Sequence, residues 1–102
     1  MQEFIHAQRD EIAELCRKHH VRRLSVFGSA ARDDFDPASS DVDVIVDFDE
    51  MPEEEYGRNR WALLDELSLR FGRKVDLLTW ESVRNPYLLK AIQSSNETLY
   101  GA

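Results

Sequence analysis

The spacing of apolar and polar positions divides the chain into alternating helical and extended segments. Apolar side chains recur at intervals of three and four residues, which predicts helices over residues 2–19, 54–71 and 86–95. Runs rich in β-branched and apolar residues predict strands over residues 21–27, 42–48 and 74–79. A short extended piece is expected over residues 97–101. This alternation predicts an α/β or α+β fold, with a small sheet of three to four strands covered by helices.

The same spacing predicts which side chains lie in the core. Cys16 falls on the apolar stripe of the first helix, and Trp61 and Phe71 recur on one side of the second. In the last helix, Tyr87, Leu88 and Ile92 are expected to face inward, with Ala91 as a further candidate.

Length and composition indicate a single globular unit. The chain has 102 residues, of which 42% are apolar and 32% charged, so we expect one domain spanning residues 1–102. Cys16 is the single cysteine and no Cys/His cluster has zinc spacing, which favours a reducing, cytoplasmic location. The charged N-terminal segment resembles neither a signal peptide nor a membrane span, and no membrane association is expected.

The net charge of −7 is concentrated in the middle of the chain. Residues 33–55 hold 11 of the 20 acidic residues and contain no Lys or Arg. Direct nucleic-acid binding requires a basic face, so this distribution argues against it. An acidic segment suits metal ions or a basic protein partner, although residues 47–55 are equally explained as a solvated loop.

A Gly-Ser turn follows the first predicted strand and is a candidate phosphate site. Gly28 lets a backbone approach an anion closely, and Ser29 adds a hydroxyl while capping the short helix expected after it. Arg32 is expected on that short helix, within reach of phosphate. Taken singly, the pair is explained equally well as an ordinary turn, and Arg32 as a surface salt-bridge partner.

Three aspartates form the second half of the pattern. Asp41 and Asp43 alternate along a predicted strand, so both carboxylates face the same side. Asp76 stands among apolar residues in the third strand, where an acidic residue is unusual. Carboxylates are the ligands that Mg²⁺ prefers, and the three together predict a two-metal site for phosphoryl or nucleotidyl transfer. Each residue alone could instead be a half-exposed strand position.

These residues resemble the signature of the polymerase-beta-like nucleotidyltransferase superfamily, and above all its minimal nucleotidyltransferase (MNT) domains. The resemblance covers roughly residues 20–100 and is carried by FGSAARDDFDPASSDVDVIVDF, GRKVDLLT and NPYLLKAIQSSNETLY. It implies that Gly28 and Ser29 hold nucleotide phosphates. It also implies that Asp41 and Asp43 bind metal and that Asp76 supplies the third carboxylate.

The family resemblance also implies a reaction and a partner. Many MNT domains are antitoxins of HEPN-domain toxins, which are small helical ribonucleases. Some use Mg²⁺ and ATP to transfer AMP to a toxin tyrosine, as type VII-like antitoxins. Two alternatives stay open: neutralisation of the toxin by binding alone, and AMP transfer to a small molecule such as an aminoglycoside.

The resemblance leaves two points open. Asp33 stands where many relatives have Gly, and an extra acid there would either weaken nucleotide binding or face solvent. Bulky apolar residues, among them Trp61, Trp80 and Tyr87, favour pairing with a second copy or with the toxin, so a homodimer and a hetero-oligomer are both compatible.

Overall fold

The chain folds as alternating helices and strands, in the order expected from the sequence. The computed structural model describes residues 1–32, 35–36, 38 and 40–101. The helices are α1 (Glu3–His6), α2 (Arg9–Lys18), α3 (Glu53–Phe71) and α4 (Pro86–Ser95). The strands are β1 (Val21–Phe27), β2 (Val42–Phe48), β3 (Val75–Thr79) and β4 (Glu97–Tyr100). Two short 3₁₀ helices span Gly28–Ala31 and Trp80–Ser82. No helix in the described ranges is long and apolar enough to cross a membrane.

The four strands form one mixed sheet in the order β3-β2-β1-β4. β1 pairs antiparallel with both β2 and β4, whereas β2 and β3 run parallel. A parallel pair needs a crossover, and α3 supplies it between β2 and β3. This confirms the α/β fold with a small mixed sheet.

The two faces of the sheet carry cores of different size. Val42, Val44 and Val46 of β2 are fully buried in the larger core, which also includes Leu63 and Leu67 of α3. On the opposite face a smaller cluster joins Phe27, Ile45 and Ile92. Strand side chains alternate between faces, so Asp43 lies on the side of the smaller cluster, away from α3.

The segment between the Gly-Ser turn and β2 is held by an aromatic contact. Phe35 is buried, and its ring centroid lies 5.3 Å from that of Phe4. The guanidinium of Arg73, just before β3, lies 4.8 Å from the Phe4 ring and 4.9 Å from the Phe35 ring. These contacts join α1, this segment and the start of β3, and so hold together the chain segments that flank the candidate site.

A buried histidine connects the end of α2 to α3. His19 Nδ1 lies 3.2 Å from Asn59 Oδ1, and His19 Nε2 is hydrogen-bonded to Glu66. This hydrogen bond is the largest cause that lowers the pKa of Glu66 below its ordinary value. The pair stabilises the packing of the two helices on the larger core.

Three expectations about the helices were wrong. The predicted helix over residues 2–19 is interrupted between α1 and α2, at Ala7 and Gln8. Trp61 is 70% exposed, because α3 turns Leu63, Leu67 and Phe71 towards the sheet instead. Tyr87, Leu88 and Ala91 are likewise exposed, because Ile92 is the α4 side chain that reaches the smaller cluster; Cys16 and Phe71 are buried as predicted.

Candidate active site

The Gly-Ser turn follows β1 directly and differs in detail from the expected helix. Gly28 has φ +66°, a left-handed conformation that favours glycine. It begins the 3₁₀ helix Gly28–Ala31, which Phe27 precedes without a side-chain cap, so Ser29 lies inside the helix and is not its cap. Arg32 lies one residue beyond this helix and is exposed; its N–H donates to the carbonyl of Ser29 at 3.1 Å.

Strand register brings the turn and two of the aspartates side by side. Phe27 of β1 is opposite Asp43 of β2, and Asp43 is opposite Asp76 of β3. Gly28 is so close that a Cβ atom added to it would lie 2.8 Å from Asp43 Oδ2. Glycine at this position therefore leaves the space that the Asp43 carboxylate occupies. Asp41 stands one residue before β2 begins.

The aspartates form a concentration of negative charge. The pKa of Asp43 is raised from its ordinary value of 3.8 to about 6, first by burial. The charge of Asp76 and a hydrogen bond with it raise this pKa further, as does the charge of Asp41, whereas Arg32 acts in the opposite direction. Carboxylates that disfavour each other's ionisation are stabilised by a cation, and oxygen donors of this kind suit Mg²⁺.

Lys74 is a member of this cluster that sequence reasoning missed. Its Nζ lies 3.8 Å from Asp41 Oδ2 and 3.7 Å from Asp76 Oδ1, so the ammonium group contacts carboxylates on both sides. Its side chain is largely exposed. The available signal was a basic residue immediately before the β3 segment VDLLT, at the same end of the sheet as Asp41.

The carboxylates of Asp41, Asp43 and Asp76 are oxygen ligands of the type that divalent cations prefer, and Lys74 lies between Asp41 and Asp76. Among the described residues, no group of three or more His, Cys, Asp or Glu side chains is already arranged to enclose a metal ion. The expectation that Asp33 affects the triphosphate concerns a residue outside the described ranges. The arrangement offers the carboxylate oxygens of Asp43 and Asp76 beside the Gly28 turn, with Lys74 Nζ between Asp41 and Asp76.

Comparisons with known proteins agree with this geometry. A family model described as "Nucleotidyltransferase domain" matches residues 9–98. The chain is 36% identical over 91 residues to "Putative protein adenylyltransferase MJ1379" of Methanocaldococcus jannaschii, covering 81% of this chain and 89% of that protein.

Solved structures share the fold. A "putative minimal nucleotidyltransferase" superposes with a TM-score of 0.72 at 27% identity, covering 89% of this chain and 88% of that one. A complex of tri-AMPylated Shewanella oneidensis HEPN toxin with MNT antitoxin contains a chain with a TM-score of 0.66 at 20% identity, covering 96% of this chain and 73% of that one. The latter likeness is one of fold. The chain belongs to the nucleotidyltransferase domain family and is a nucleotidyltransferase enzyme.

Proposed function

We propose that this nucleotidyltransferase transfers AMP from ATP to a tyrosine hydroxyl of a HEPN-domain toxin and so acts as its antitoxin. The observation that carries the proposal is the register that aligns the Gly28 turn, Asp43 and Asp76 on one face of the sheet. The adenylyltransferase name of the Methanocaldococcus jannaschii relative supports AMP as the transferred group. The Shewanella oneidensis complex, with its tri-AMPylated HEPN toxin, supports the acceptor.

Asp41, Asp43 and Asp76 are the residues that would hold Mg²⁺, with up to two ions shared among them. When bound, the ions supply charge neutralisation to the triphosphate and to the attacking oxygen. The raised pKa of Asp43 supports this assignment, because burial and the neighbouring Asp76 and Asp41 disfavour the ionised carboxylate, which a bound cation would stabilise. Lys74 Nζ is the group that now partly balances Asp41 and Asp76.

The turn residues would position the phosphates of ATP. Gly28 has no side chain, so its backbone can contribute to a phosphate site next to the Asp43 carboxylate, which lies where a Cβ would otherwise stand. Ser29 is half-buried beside it and adds a hydroxyl donor. Arg32 follows this turn, and its positive charge counteracts part of the rise in the pKa of Asp43, so it is a further candidate for phosphate binding.

The chain contributes positioning and proton acceptance to the transfer. The tyrosine oxygen forms a bond to the α-phosphorus of ATP, and the bond from that phosphorus to the pyrophosphate oxygen breaks. The phenolic proton passes to a carboxylate of the cluster, for which Asp76 at the open edge of the sheet is the best placed. In this proposal the partner protein brings the acceptor hydroxyl.

The decisive experiment incubates the protein with ATP labelled in the α-phosphate, Mg²⁺ and the HEPN protein, and follows label on the toxin. We expect labelling by the wild type, with loss in Asp41→Ala and in Asp43→Ala. Asp10→Asn, an exposed acidic position on α2, serves as the control and should label normally. Retained labelling in both active-site variants would exclude the metal assignment.

The same variants separate the alternatives. Protection of cells from the toxin by the Asp41→Ala/Asp43→Ala double variant, at normal expression, would show neutralisation by binding alone. Label on an aminoglycoside, with none on the HEPN protein, would show a small-molecule transferase.

A further inference from the structure

The outer face of α3 carries apolar and charged side chains that nothing in the described fold covers. Leu63, Leu67 and Phe71 occupy the inner face, and the opposite side of the helix carries Arg58, Trp61, Ala62, Asp65, Ser68 and Leu69. These outer positions repeat at intervals of three and four, the spacing of a seam between two packed helices. We call this set the outer face of α3.

This face is exposed and carries an open depression. Trp61 is 70% exposed and Leu69 is 75% exposed, although a folded protein usually buries at least part of such side chains. An open depression of about 640 Å³ lies along the helix; all the residues that line it belong to α3, namely Arg58, Trp61, Ala62, Leu64, Asp65 and Ser68. Tryptophan is a common anchor of protein interfaces.

The charges on this face complement each other across a two-fold axis. Arg58 and Asp65 are seven residues apart, which is two helical turns, and so they point the same way. Neither makes an ion pair within the described part of the chain. A second copy of α3 running antiparallel, with the axis between positions 61 and 62, would set Arg58 opposite the partner's Asp65 and Asp65 opposite the partner's Arg58.

Under the same symmetry Trp61 is matched, whereas Leu69 would lie opposite the partner's Glu54, at the edge of the contact. Trp61 would meet the partner's Ala62, where a small side chain leaves room for the indole ring. A parallel arrangement would instead set Arg58 against its own copy and Asp65 against its own copy, which is unfavourable. We propose that the protein forms a two-fold homodimer through the outer face of α3, with the two helices antiparallel.

The position of α3 explains why such a dimer is compatible with the candidate active site. α3 packs on the sheet face that carries Val42 and Val44, whereas Asp43 lies on the opposite face. Pairing through α3 therefore leaves both aspartate clusters on the outer sides of the dimer. Each cluster stays accessible to a nucleotide and to an acceptor protein.

Charge reversal tests the pairing and its direction. The contact between position 58 and the partner's position 65 occurs twice in each dimer. Arg58→Asp therefore places two like-charged aspartate pairs in the interface, and Asp65→Arg places two like-charged arginine pairs there. We expect either single reversal to raise the dissociation constant of the dimer by on the order of tenfold. The double variant Arg58→Asp/Asp65→Arg restores opposite charges and should return to within about threefold of the wild type. Sedimentation velocity over micromolar to submillimolar protein gives these constants.

Two further variants complete the experiment. Trp61→Ala should shift the protein to monomer, whereas Tyr87→Ala, at a residue 85% exposed on α4, should leave the dimer unchanged. Circular dichroism verifies that each variant is folded, and mass is measured without nucleotide, so the result is independent of AMP transfer. A wild type that is monomeric throughout, or a double reversal no tighter than the single ones, would overturn the proposal. A monomer whose Trp61 becomes buried only on addition of the HEPN protein would assign the face to that partner.

Discussion

Replacing Gly28 by alanine tests the geometry of the turn most directly. Gly28 has φ +66°, and the added Cβ would lie 2.8 Å from Asp43 Oδ2. Ordinary contacts of a Cβ atom begin near 3.4 Å, so the carboxylate must move by about 0.6 Å. We expect Gly28→Ala to disturb the site much more than the fold.

The cost in stability and the cost in function can be separated. A left-handed conformation costs a non-glycine residue roughly 1–2 kcal/mol, which is the expected loss in the free energy of unfolding. The contact with Asp43 adds little to this, since a carboxylate at the end of a side chain can rotate away. A shift of about half an ångström in a ligand oxygen, however, lowers the rate of transfer by on the order of tenfold or more.

Gly72 provides a matched control within the same chain. It ends α3 with φ +63°, and a Cβ added there would meet no atom within 4 Å. Gly72→Ala therefore carries the same backbone cost without the steric contact. We expect urea denaturation to give similar losses of about 1–2 kcal/mol for both variants. Only Gly28→Ala should weaken MgATP binding in calorimetry and slow AMP transfer.

Two results would refute this reasoning. If Gly28→Ala binds MgATP and transfers AMP like the wild type, the turn does not constrain Asp43. If Gly72→Ala loses activity to the same extent, the loss comes from general destabilisation.

Three other changes probe the charges around the sheet. The raised pKa of Asp43 makes its ionisation unfavourable in the folded state, so the free energy of unfolding of the wild type in EDTA should fall as the pH rises from about 4 to about 6. Urea denaturation measures this, and Asp43→Asn should remove the fall. An unchanged pH profile in the variant would contradict the assigned charges. Lys74→Met should tighten Mn²⁺ binding in electron paramagnetic resonance titrations, because the ammonium group competes with the metal for Asp41 and Asp76. The gain should be at most about fivefold, since an exposed ammonium group competes only weakly. Weaker Mn²⁺ binding would mean that Lys74 assists the metal. Glu66→Gln should cost about 0.5–1 kcal/mol at neutral pH, because His19 loses a charged partner. Because the pKa of Glu66 is lowered in the folded state, this stabilisation is present above the ordinary pKa of 4.5 and is lost as the pH falls through the pKa of the folded protein. A difference in melting temperature between wild type and Glu66→Gln that grows in acid would contradict this.

The strands were predictable because they are runs of β-branched and apolar residues between polar segments. In β2, Val42, Val44 and Val46 share one face and Asp43, Ile45 and Asp47 share the other, so the sequence indicated which side lies in the larger core. The sequence indicated that Asp43 and Asp76 lie near each other on neighbouring strands. It did not indicate that the two residues are directly opposite. Their register depends on the parallel arrangement of β2 and β3, which is set by the path of α3 and by contacts across the sheet.

The helices were harder to orient from the sequence. α3 carries apolar residues around most of its circumference, so spacing alone did not distinguish the side with Leu63 from the side with Trp61. The interruption after α1 has no glycine or proline to indicate it. There Phe4 packs against Phe35 and Phe71, and Gln2 donates to the carbonyl of Ala30, so tertiary contacts fix the break.

The order of the sheet has a consequence for the temperature range of the enzyme. β3 is an edge strand, hydrogen-bonded to β2 alone, whereas β1 and β2 each lie between two neighbours. Edge strands open locally at a lower free energy than interior strands, which exchange their amide protons only on global unfolding. Because Asp76 is carried by β3, local opening of this strand would displace a carboxylate of the site and expose Val75 and Leu77, while β1 and β2 remain paired. Heat inactivation is therefore expected to precede the loss of the fold, with hydrogen exchange in β3 as its earliest sign.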